Sequence, residues 1–122
     1  MLNNINFYSD FQSIPFKEKI NKYRVLVIGG AGTIGLNYIK QILKFKPSKI
    51  VVVDTNENGL TELTRDLRSS NLLDYKPEYI TYPVNLLSET FDKIFNSESW
   101  QLVANFSAHK HVRALIYYLL LF

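Results

Sequence analysis

The sequence contains no cysteine in its 122 residues, which excludes disulfide bonds and thiolate metal sites and is compatible with a reducing compartment. It also lacks a long apolar run. The longest, LIYYLLLF at residues 115–122, is far shorter than the roughly 20 residues of a membrane-spanning helix. The opening residues MLNNINFYSDFQ contain no basic region followed by an apolar one, so no signal peptide is predicted. We therefore expect a cytoplasmic chain without a membrane span.

Charge of one sign does not accumulate anywhere in the chain. Lys and Arg number 14 and Asp and Glu 11, for a net charge of +3, and the lysines are scattered rather than grouped into a basic tract. This pattern is typical of solvated helix surfaces, and we expect no nucleic-acid partner. Hydrophobic residues make up 47% of the chain, as in ordinary globular proteins. The length fits one domain or part of a larger one.

Glycine is scarce, yet four of the five glycines lie between residues 29 and 35. They fit the spacing Gly29-x-x-Gly32-x-x-Gly35. The preceding residues RVLVI (24–28) form a continuous apolar run that predicts a strand buried on both faces. The following residues up to Phe45 have apolar side chains at helical spacing, which predicts a helix. A strand, a glycine loop and a helix in this order are typical of a pyrophosphate-binding loop.

Each glycine of the loop has a separate task if a dinucleotide binds. Gly29 permits a sharp turn, Gly32 lets the backbone approach the pyrophosphate, and Gly35 lets the helix pack closely on the strand. The amides of Gly32, Thr33 and Ile34 would be unpaired donors at the helix N-terminus, where the helix dipole also favours an anion. A tight turn without a ligand is the alternative interpretation. No Gly-Lys-Ser/Thr follows the glycines, so a nucleotide-hydrolysing P-loop is disfavoured.

Asp54 stands nineteen positions after Gly35, at the end of a second apolar run predicted as a strand over residues 49–54. A carboxylate at this place accepts hydrogen bonds from the adenosine ribose hydroxyls. It would repel a 2′-phosphate, which favours NAD over NADP, although NADP remains possible. The alternative is that Asp54 only caps the next helix, with Asn56 or Asn58 as competitors for that role.

The predicted elements alternate regularly between strands and helices, with short connections. Such alternation predicts an α/β fold with a doubly wound, Rossmann-type parallel sheet. We assign residues 1–22 to an N-terminal lead-in and residues 23–122 to the dinucleotide-binding domain. The predicted strands cover residues 24–28, 49–54, 78–84 and 101–106, and Ser88 is the predicted N-cap of the helix before the last of them.

Four segments of the chain resemble the extended short-chain dehydrogenase/reductase superfamily: VLVIGGAGTIG (25–35), VVVDTNENGLTELTRDLRSS (51–70), YPVNLLS (82–88) and NFSAHKHVR (105–113). The last segment, SAHKHVR above all, resembles the polysaccharide-biosynthesis branch of nucleotide-sugar 4,6-dehydratases and epimerases. The resemblance covers roughly residues 23–113. It implies NAD as the cofactor and a UDP-sugar as the substrate of a complete relative.

The resemblance assigns roles to several residues. It implies that Gly29, Gly32 and Gly35 form the phosphate loop with the Thr33 and Ile34 amides, that Asp54 binds the ribose, and that Asn56 and Glu57 lie near the adenosine edge. Asn85 and Leu86 occupy the adenine position, where the family usually has Asp before an aliphatic residue; an amide can accept the same hydrogen bond. The resemblance also implies that the backbone of Ser107 and Ala108 lies beside the nicotinamide half of the cofactor.

Lys110 and His111 would lie near the nicotinamide ribose and the substrate, according to the same resemblance. His109 and His111 are two positions apart without a nearby carboxylate. That arrangement is weak evidence for a metal site or for general acid–base chemistry, and we predict neither.

The superfamily's chemistry depends on a Tyr-x-x-x-Lys pair, whose lysine lowers the tyrosine pKa for proton transfer. None of the eight tyrosines has lysine four positions later, so no catalytic residue is predicted. We expect a truncated fold of about four strands without a substrate domain, which binds a dinucleotide but is not catalytically competent alone. Self-association through the apolar residues 114–122 is also expected. The alternatives are a non-catalytic NAD(P)-binding or redox-sensing module, working with a partner subunit, and a degenerate fragment without function.

Overall fold

A computed structural model describes residues 21–107 of the chain. The described residues form four strands and three helices in strict alternation. Several predictions concern residues outside this range and are not described by the structure. They include most of the predicted lead-in, Ala108, His109, Lys110, His111 and the apolar C-terminal segment. The elements are β1 (Arg24–Ile28), α1 (Thr33–Leu43), β2 (Lys49–Val53), α2 (Glu57–Ser69), β3 (Glu78–Tyr82), α3 (Glu89–Asn96) and β4 (Leu102–Asn105).

The four strands form one parallel sheet in the order β3-β2-β1-β4. The chain first moves outward from β1 to β2 and β3, and then returns to pair β4 with the opposite side of β1. The strand order therefore reverses between β1 and β4, which creates a switch point at the carboxyl ends of these strands. The predicted doubly wound, Rossmann-type parallel sheet is confirmed for the described residues.

The two-residue period of the strands builds a separate core on each face of the sheet. Val25 and Val27 of β1 pack on one face with buried residues of α1 and α2, such as Ile39 and Leu63. Leu26 and Ile28 pack on the other face with the buried residues Phe91 and Phe95 of α3 and with Trp100. Helices thus cover both faces, as the continuous apolar strands predict.

The helix starts follow the capping residues in the sequence. Ser88 caps α3 as predicted, because its Oγ accepts a hydrogen bond from the Phe91 amide at 3.1 Å. Asn56 caps α2, with its Oδ1 accepting from the Gly59 amide at 2.9 Å. Three predicted strands, 49–54, 78–84 and 101–106, end one or two residues too late. β3 ends at Tyr82 because Pro83 has no amide hydrogen to continue the ladder.

An ion cluster joins the amino ends of the strands, opposite to the switch point. The Lys49 Nζ lies 2.6 Å from Glu98 Oε2 and 3.5 Å from Glu78 Oε2, and Arg24 Nε lies 3.9 Å from Glu98 Oε1. The hydrogen bond to Glu98 raises the pKa of Lys49. This cluster connects β1, β2, β3 and the segment before β4.

We expect the free energy of unfolding to fall as the pH rises from about 10 to about 12. Burial raises the pKa of Tyr75 to about 12 and also raises the pKa of Tyr79, and the pKa of Lys49 is raised as well. These groups lose their protons first in the unfolded chain, so alkaline pH favours unfolding, whereas below about pH 9 their contribution is constant. Urea unfolding measured between pH 7 and 12 tests this.

The control for the alkaline transition is Tyr75→Phe. It removes one titrating group together with the hydrogen bond from Tyr75 Oη to the Pro47 carbonyl, 2.8 Å long. The variant should start from a lower stability at neutral pH and lose less of it above pH 10. An unfolding free energy that stays level up to pH 12 in the parent chain contradicts the prediction.

Among the helices between residues 21 and 107, none has the length and the apolar character needed to cross a membrane.

Candidate functional site

The glycine loop lies at the carboxyl end of β1 and is tied to the neighbouring strand. Gly29 has a φ of +75°, and its amide donates to the Val53 carbonyl of β2 at 2.7 Å. The Ala31 amide donates to Asp54 Oδ2 at 3.0 Å. The loop is therefore held in place by the end of β2, through one backbone and one side-chain acceptor.

The N-terminus of α1 follows the loop directly. Gly32 is its N-cap, with φ −81° and ψ 172°, and no side chain caps the helix. The amides of the first helical turn have no partner within their own helix, and the helix dipole adds a partial positive charge there. Within the described residues, this helix start has the properties of an anion-binding site.

The two outer glycines of the motif are needed for close packing. A Cβ on Gly29 would lie 2.7 Å from the Ser107 nitrogen, and a Cβ on Gly35 would lie 2.7 Å from the Gly29 oxygen. A Cβ on Gly32, in contrast, would meet only the Gly29 oxygen, at 4.0 Å. Gly32 thus faces open space, as a glycine that admits a ligand would.

Gly30 is a further essential glycine that the spacing argument missed. A Cβ at this position would lie 2.5 Å from Val52 Cγ1 and 3.0 Å from Ile39 Cδ1. Gly30 therefore allows α1 to pack on β2. A glycine at the first x of the motif, directly after Gly29, was the only available signal.

Asp54 connects the glycine loop to the start of α2. Its Oδ2 accepts from the Ala31 amide, and its Oδ1 accepts from the Asn56 amide at 2.9 Å. The N-cap of α2 is Asn56 and not Asp54, so the alternative interpretation of Asp54 as a helix cap is wrong. A carboxylate has about four lone-pair positions, which leaves acceptor capacity for ribose hydroxyls beside these two bonds.

Asn85 and Leu86 follow β3 and have different environments. Leu86 is 5% exposed and belongs to the core between the sheet and α3, whereas Asn85 is exposed. The Asn85 Oδ1 accepts from the Leu87 amide at 2.8 Å, and its carbonyl accepts from the Ser88 amide and Oγ at 3.0 and 2.6 Å. The side chain of Asn85 is thus fixed by the turn that starts α3.

Ser107 follows β4 across the switch point. Its amide and Oγ donate to Asn105 Oδ1 at 3.0 and 2.7 Å. Asn105 is a buried polar residue with 2% exposure. These bonds hold the backbone of Ser107 against Gly29. The two segments are so close that a Cβ on residue 29 would lie 2.7 Å from the Ser107 nitrogen, so only glycine fits there.

The carboxyl ends of the four strands enclose a cleft of about 510 Å³ at the switch point. Six predicted site residues line it, namely Gly29, Gly32, Asp54, Asn85, Leu86 and Ser107. Five further residues of the lining were missed, because strand ends and backbone positions carry no chemical signal in the sequence. These five are Ile28, Val53, Thr55, Val84 and Phe106.

The remaining predicted site residues lie elsewhere. Thr33, Ile34 and Gly35 belong to the first turn of α1 and do not line the cleft, although Ile34 is 71% exposed. Asn56 is the exposed cap of α2. Ala108 and Lys110 lie outside the described residues.

The described lining of the cleft carries little charge. Among its described lining residues, Asp54 is the only one with an ionisable side chain, and residues 21–107 contain no cluster of three or more potential metal ligands. Arg65, the arginine nearest to Asp54 in the sequence, pairs with Glu62 at 2.7 Å on the exposed side of α2 and does not line this cleft. The described lining of the cleft therefore combines Gly32, the N-cap of α1, with one acidic side chain.

Residues 25–120 match the model of a family described as "Polysaccharide biosynthesis protein". The capsular polysaccharide biosynthesis protein CapD of Staphylococcus aureus is 28% identical over 102 residues, which are 83% of this chain and 16% of CapD. An uncharacterized membrane protein of Methanocaldococcus jannaschii is 42% identical over 60 residues, which are 47% of this chain and 18% of that protein. The chain thus spans less than a fifth of these curated relatives.

Two solved structures are similar to the described fold. Pen from Bacillus thuringiensis matches with a TM-score of 0.60 and 26% identity, over 80% of this chain and 29% of Pen. Escherichia coli MccB, solved with ATP, matches with a TM-score of 0.55 and 16% identity, over 95% of this chain and 40% of MccB. At that identity the likeness to MccB concerns the fold alone.

Proposed function

The chain belongs to the polysaccharide biosynthesis protein family whose model matches residues 25–120, and from this premise we propose that the cleft binds the NAD of a nucleotide-sugar dehydratase or epimerase. In such an enzyme, NAD would supply the acceptor for a hydride from the sugar. The part of this chain is to bind and orient the dinucleotide. No Tyr-x-x-x-Lys pair occurs among its residues.

One observation carries the proposal: the uncapped start of α1 and the carboxylate of Asp54 border the same cleft at the switch point. The pyrophosphate would accept hydrogen bonds from the first-turn amides, where Gly32 leaves space for it. The ribose would then lie at the end of β2, within reach of Asp54. Open α/β sheets bind ligands at this place, outside the carboxyl ends of the strands.

NAD is favoured over NADP by the charge at the end of β2. The Asp54 carboxylate would repel a 2′-phosphate, and Arg65 is engaged by Glu62, so no arginine of the described cleft lining offsets the repulsion. We expect the chain to bind NAD at least tenfold more tightly than NADP, a difference of about 1.4 kcal/mol. Isothermal titration calorimetry with both dinucleotides measures it.

The Asp54→Asn variant shows whether that preference comes from the carboxylate. It should lower the NAD preference to about threefold or less, because the 2′-phosphate no longer meets a negative charge. Asn keeps one acceptor for the Ala31 or the Asn56 amide, so urea unfolding of the same variant reports the structural part of the change. Absence of NAD binding by the folded parent chain contradicts the proposed function, and equal binding of NAD and NADP by the parent contradicts the role of Asp54.

A second candidate function is a non-catalytic dinucleotide-binding module that works with a partner subunit. The absence of Tyr-x-x-x-Lys from the chain and the single ionisable side chain in the described cleft lining favour it. Both candidates share the cofactor site. Reading the coding sequence downstream of Phe122 separates them, since an open frame that encodes the pair supports the enzyme.

A further inference from the structure

The outer edge of β3 presents backbone groups that no neighbouring strand uses. Among the described residues, β3 pairs only with β2 and forms one edge of the sheet. The amide of Glu78 and the carbonyl of Tyr82 are bonded on the β2 side. Because successive residues of a strand alternate in direction, Tyr79 and Thr81 direct their amides and carbonyls outward. These groups are available to a further strand.

The residues around β3 suit pairing with a second copy of the same strand. Pro77 and Pro83 lie at equal distances in sequence from Ile80, and neither has an amide hydrogen. An antiparallel pair centred on Ile80 places these prolines opposite each other, where neither leaves a donor unpaired. In this register Tyr79 lies opposite Thr81 of the second copy, and such a pair exchanges both of its backbone hydrogen bonds. Ile80, half-buried in the single chain, meets its own copy across the pair.

Helix α2 has a polar stripe along the same edge. The stripe recurs at helical spacing and lines a groove of about 490 Å³ beside the end of β3; its members are Glu57, Thr61, Thr64 and Arg68. We call these four residues the free flank of α2, because other residues of the helix line the groove on the side of α1. Glu57 and Arg68 are exposed, and neither forms an ion pair within residues 21–107. The two ends of the free flank thus have opposite charges without a partner.

The centre of the free flank lies beside the centre of β3. Thr64 Oγ1 is 2.7 Å from Tyr79 Oη, and the buried side of α2 packs on β2 and β3. A two-fold axis at Ile80 therefore brings a second α2 alongside the first in antiparallel orientation. The two helices would be about 10 Å apart, twice the spacing of neighbouring strands, which is close to the separation of packed helices.

We propose that the β3 edge and the free flank of α2 form a two-fold interface between two copies of this chain. In this arrangement Glu57 of each copy lies opposite Arg68 of the other, and Thr61 lies opposite Thr64. The small threonine side chains permit close approach at the centre, and the charges at the ends select the antiparallel orientation. The groove and the dinucleotide cleft have no described lining residue in common, so the interface leaves the cleft open.

The test is sedimentation velocity of the full chain and of two charge-reversal variants. The parent should show a concentration-dependent equilibrium between monomer and dimer. Glu57→Arg puts arginine at both ends of the free flank, and Arg68→Glu puts glutamate at both ends. Each variant alone should dimerise about tenfold more weakly, because two attractive pairs become repulsive. An equal mixture of the two should form a heterodimer about as strongly as the parent dimerises, since every arginine then faces a glutamate.

The matched control is Glu62→Arg, the same substitution at an exposed position of α2 outside the free flank. It should dimerise like the parent, and urea unfolding of each variant shows that the chain is folded. A parent chain that stays monomeric up to about 1 mM overturns the proposal. Single variants that dimerise as strongly as the parent also overturn it, because they place the contact on another surface, such as the apolar residues 114–122. A mixture that forms no heterodimer overturns the pairing of Glu57 with Arg68.

Discussion

Replacing Gly32 with aspartate should reduce NAD binding by about a hundredfold or more without destabilising the fold. Gly32 is the N-cap of α1, and aspartate is among the most favourable N-cap residues, exceeding glycine by a few tenths of a kcal/mol. The φ of −81° suits any residue, and a Cβ would meet only the Gly29 oxygen, at 4.0 Å. The variant should therefore unfold at the same urea concentration as the parent or a slightly higher one.

The loss of binding has two physical causes. The aspartate carboxylate would accept hydrogen bonds from the same first-turn amides that are proposed to bind the pyrophosphate. It would also add a negative charge where the phosphates approach; two like charges about 4 Å apart repel by roughly 4 kcal/mol at an effective dielectric constant of 20. Solvent screening at this exposed site reduces that figure, and about a hundredfold remains as the expected loss.

The matched control is Asn37→Asp, which adds the same charge to an exposed position of the same helix. It should change NAD affinity by less than about threefold. If Gly32→Asp binds NAD as tightly as the parent chain, the assignment of the glycine loop to the pyrophosphate is wrong. Because the stability of the variant is measured alongside, a failure to fold cannot be mistaken for a loss of binding.

Replacing Gly29 with alanine should cost about 3 kcal/mol of unfolding free energy, a large part of the 5–15 kcal/mol typical of a domain. Its φ of +75° is unfavourable for an alanine by roughly 1–2 kcal/mol. The new Cβ would also lie 2.7 Å from the Ser107 nitrogen and 2.9 Å from the Phe106 carbonyl carbon. These are backbone atoms, so the contact is relieved only by moving the end of β4, at a further cost of about 1–3 kcal/mol.

Gly32→Ala is the control for the loss of a glycine as such. It makes the same chemical change three residues away, at a position with open space and an ordinary φ, and it should change stability by less than about 1 kcal/mol. Chemical denaturation of the two variants under the same conditions measures the difference. Equal stability of Gly29→Ala and Gly32→Ala would show that the turn at Gly29 is not constrained as described.

Much of the fold was predictable because its signals are local. The apolar runs of β1 and β2, the leucine spacing of α2 and the cap at Ser88 each depend on residues close together in the chain. The alternation of these elements then predicts a parallel sheet with helices on both faces. The predicted positions of the strand ends were less accurate, because a strand stops where its pairing with the neighbouring strand stops, and composition does not determine that.

The candidate site was predictable only in part. The glycine spacing and the position of Asp54 mark it in the sequence, and Gly29, Gly32 and Asp54 line the cleft. The part of Asp54 in holding the Ala31 amide and the packing role of Gly30 were not predicted. Asn56 was named only as one of several candidate caps of α2. Each depends on which atoms of the neighbouring segment lie within about 3 Å, and residue type does not determine that.

The sequence alone determined the element order, the two-faced apolar strands, the glycine spacing and the absence of Tyr-x-x-x-Lys, because these are properties of residues near one another in the chain. Only the tertiary structure decided that β4 pairs with β1 and creates the switch point, that Gly32 faces open space, and that the Asn85 amide is oriented by Leu87. These features arise from contacts between segments that the sheet brings together. The periodicity and the composition of the sequence do not determine the distances between atoms of such segments.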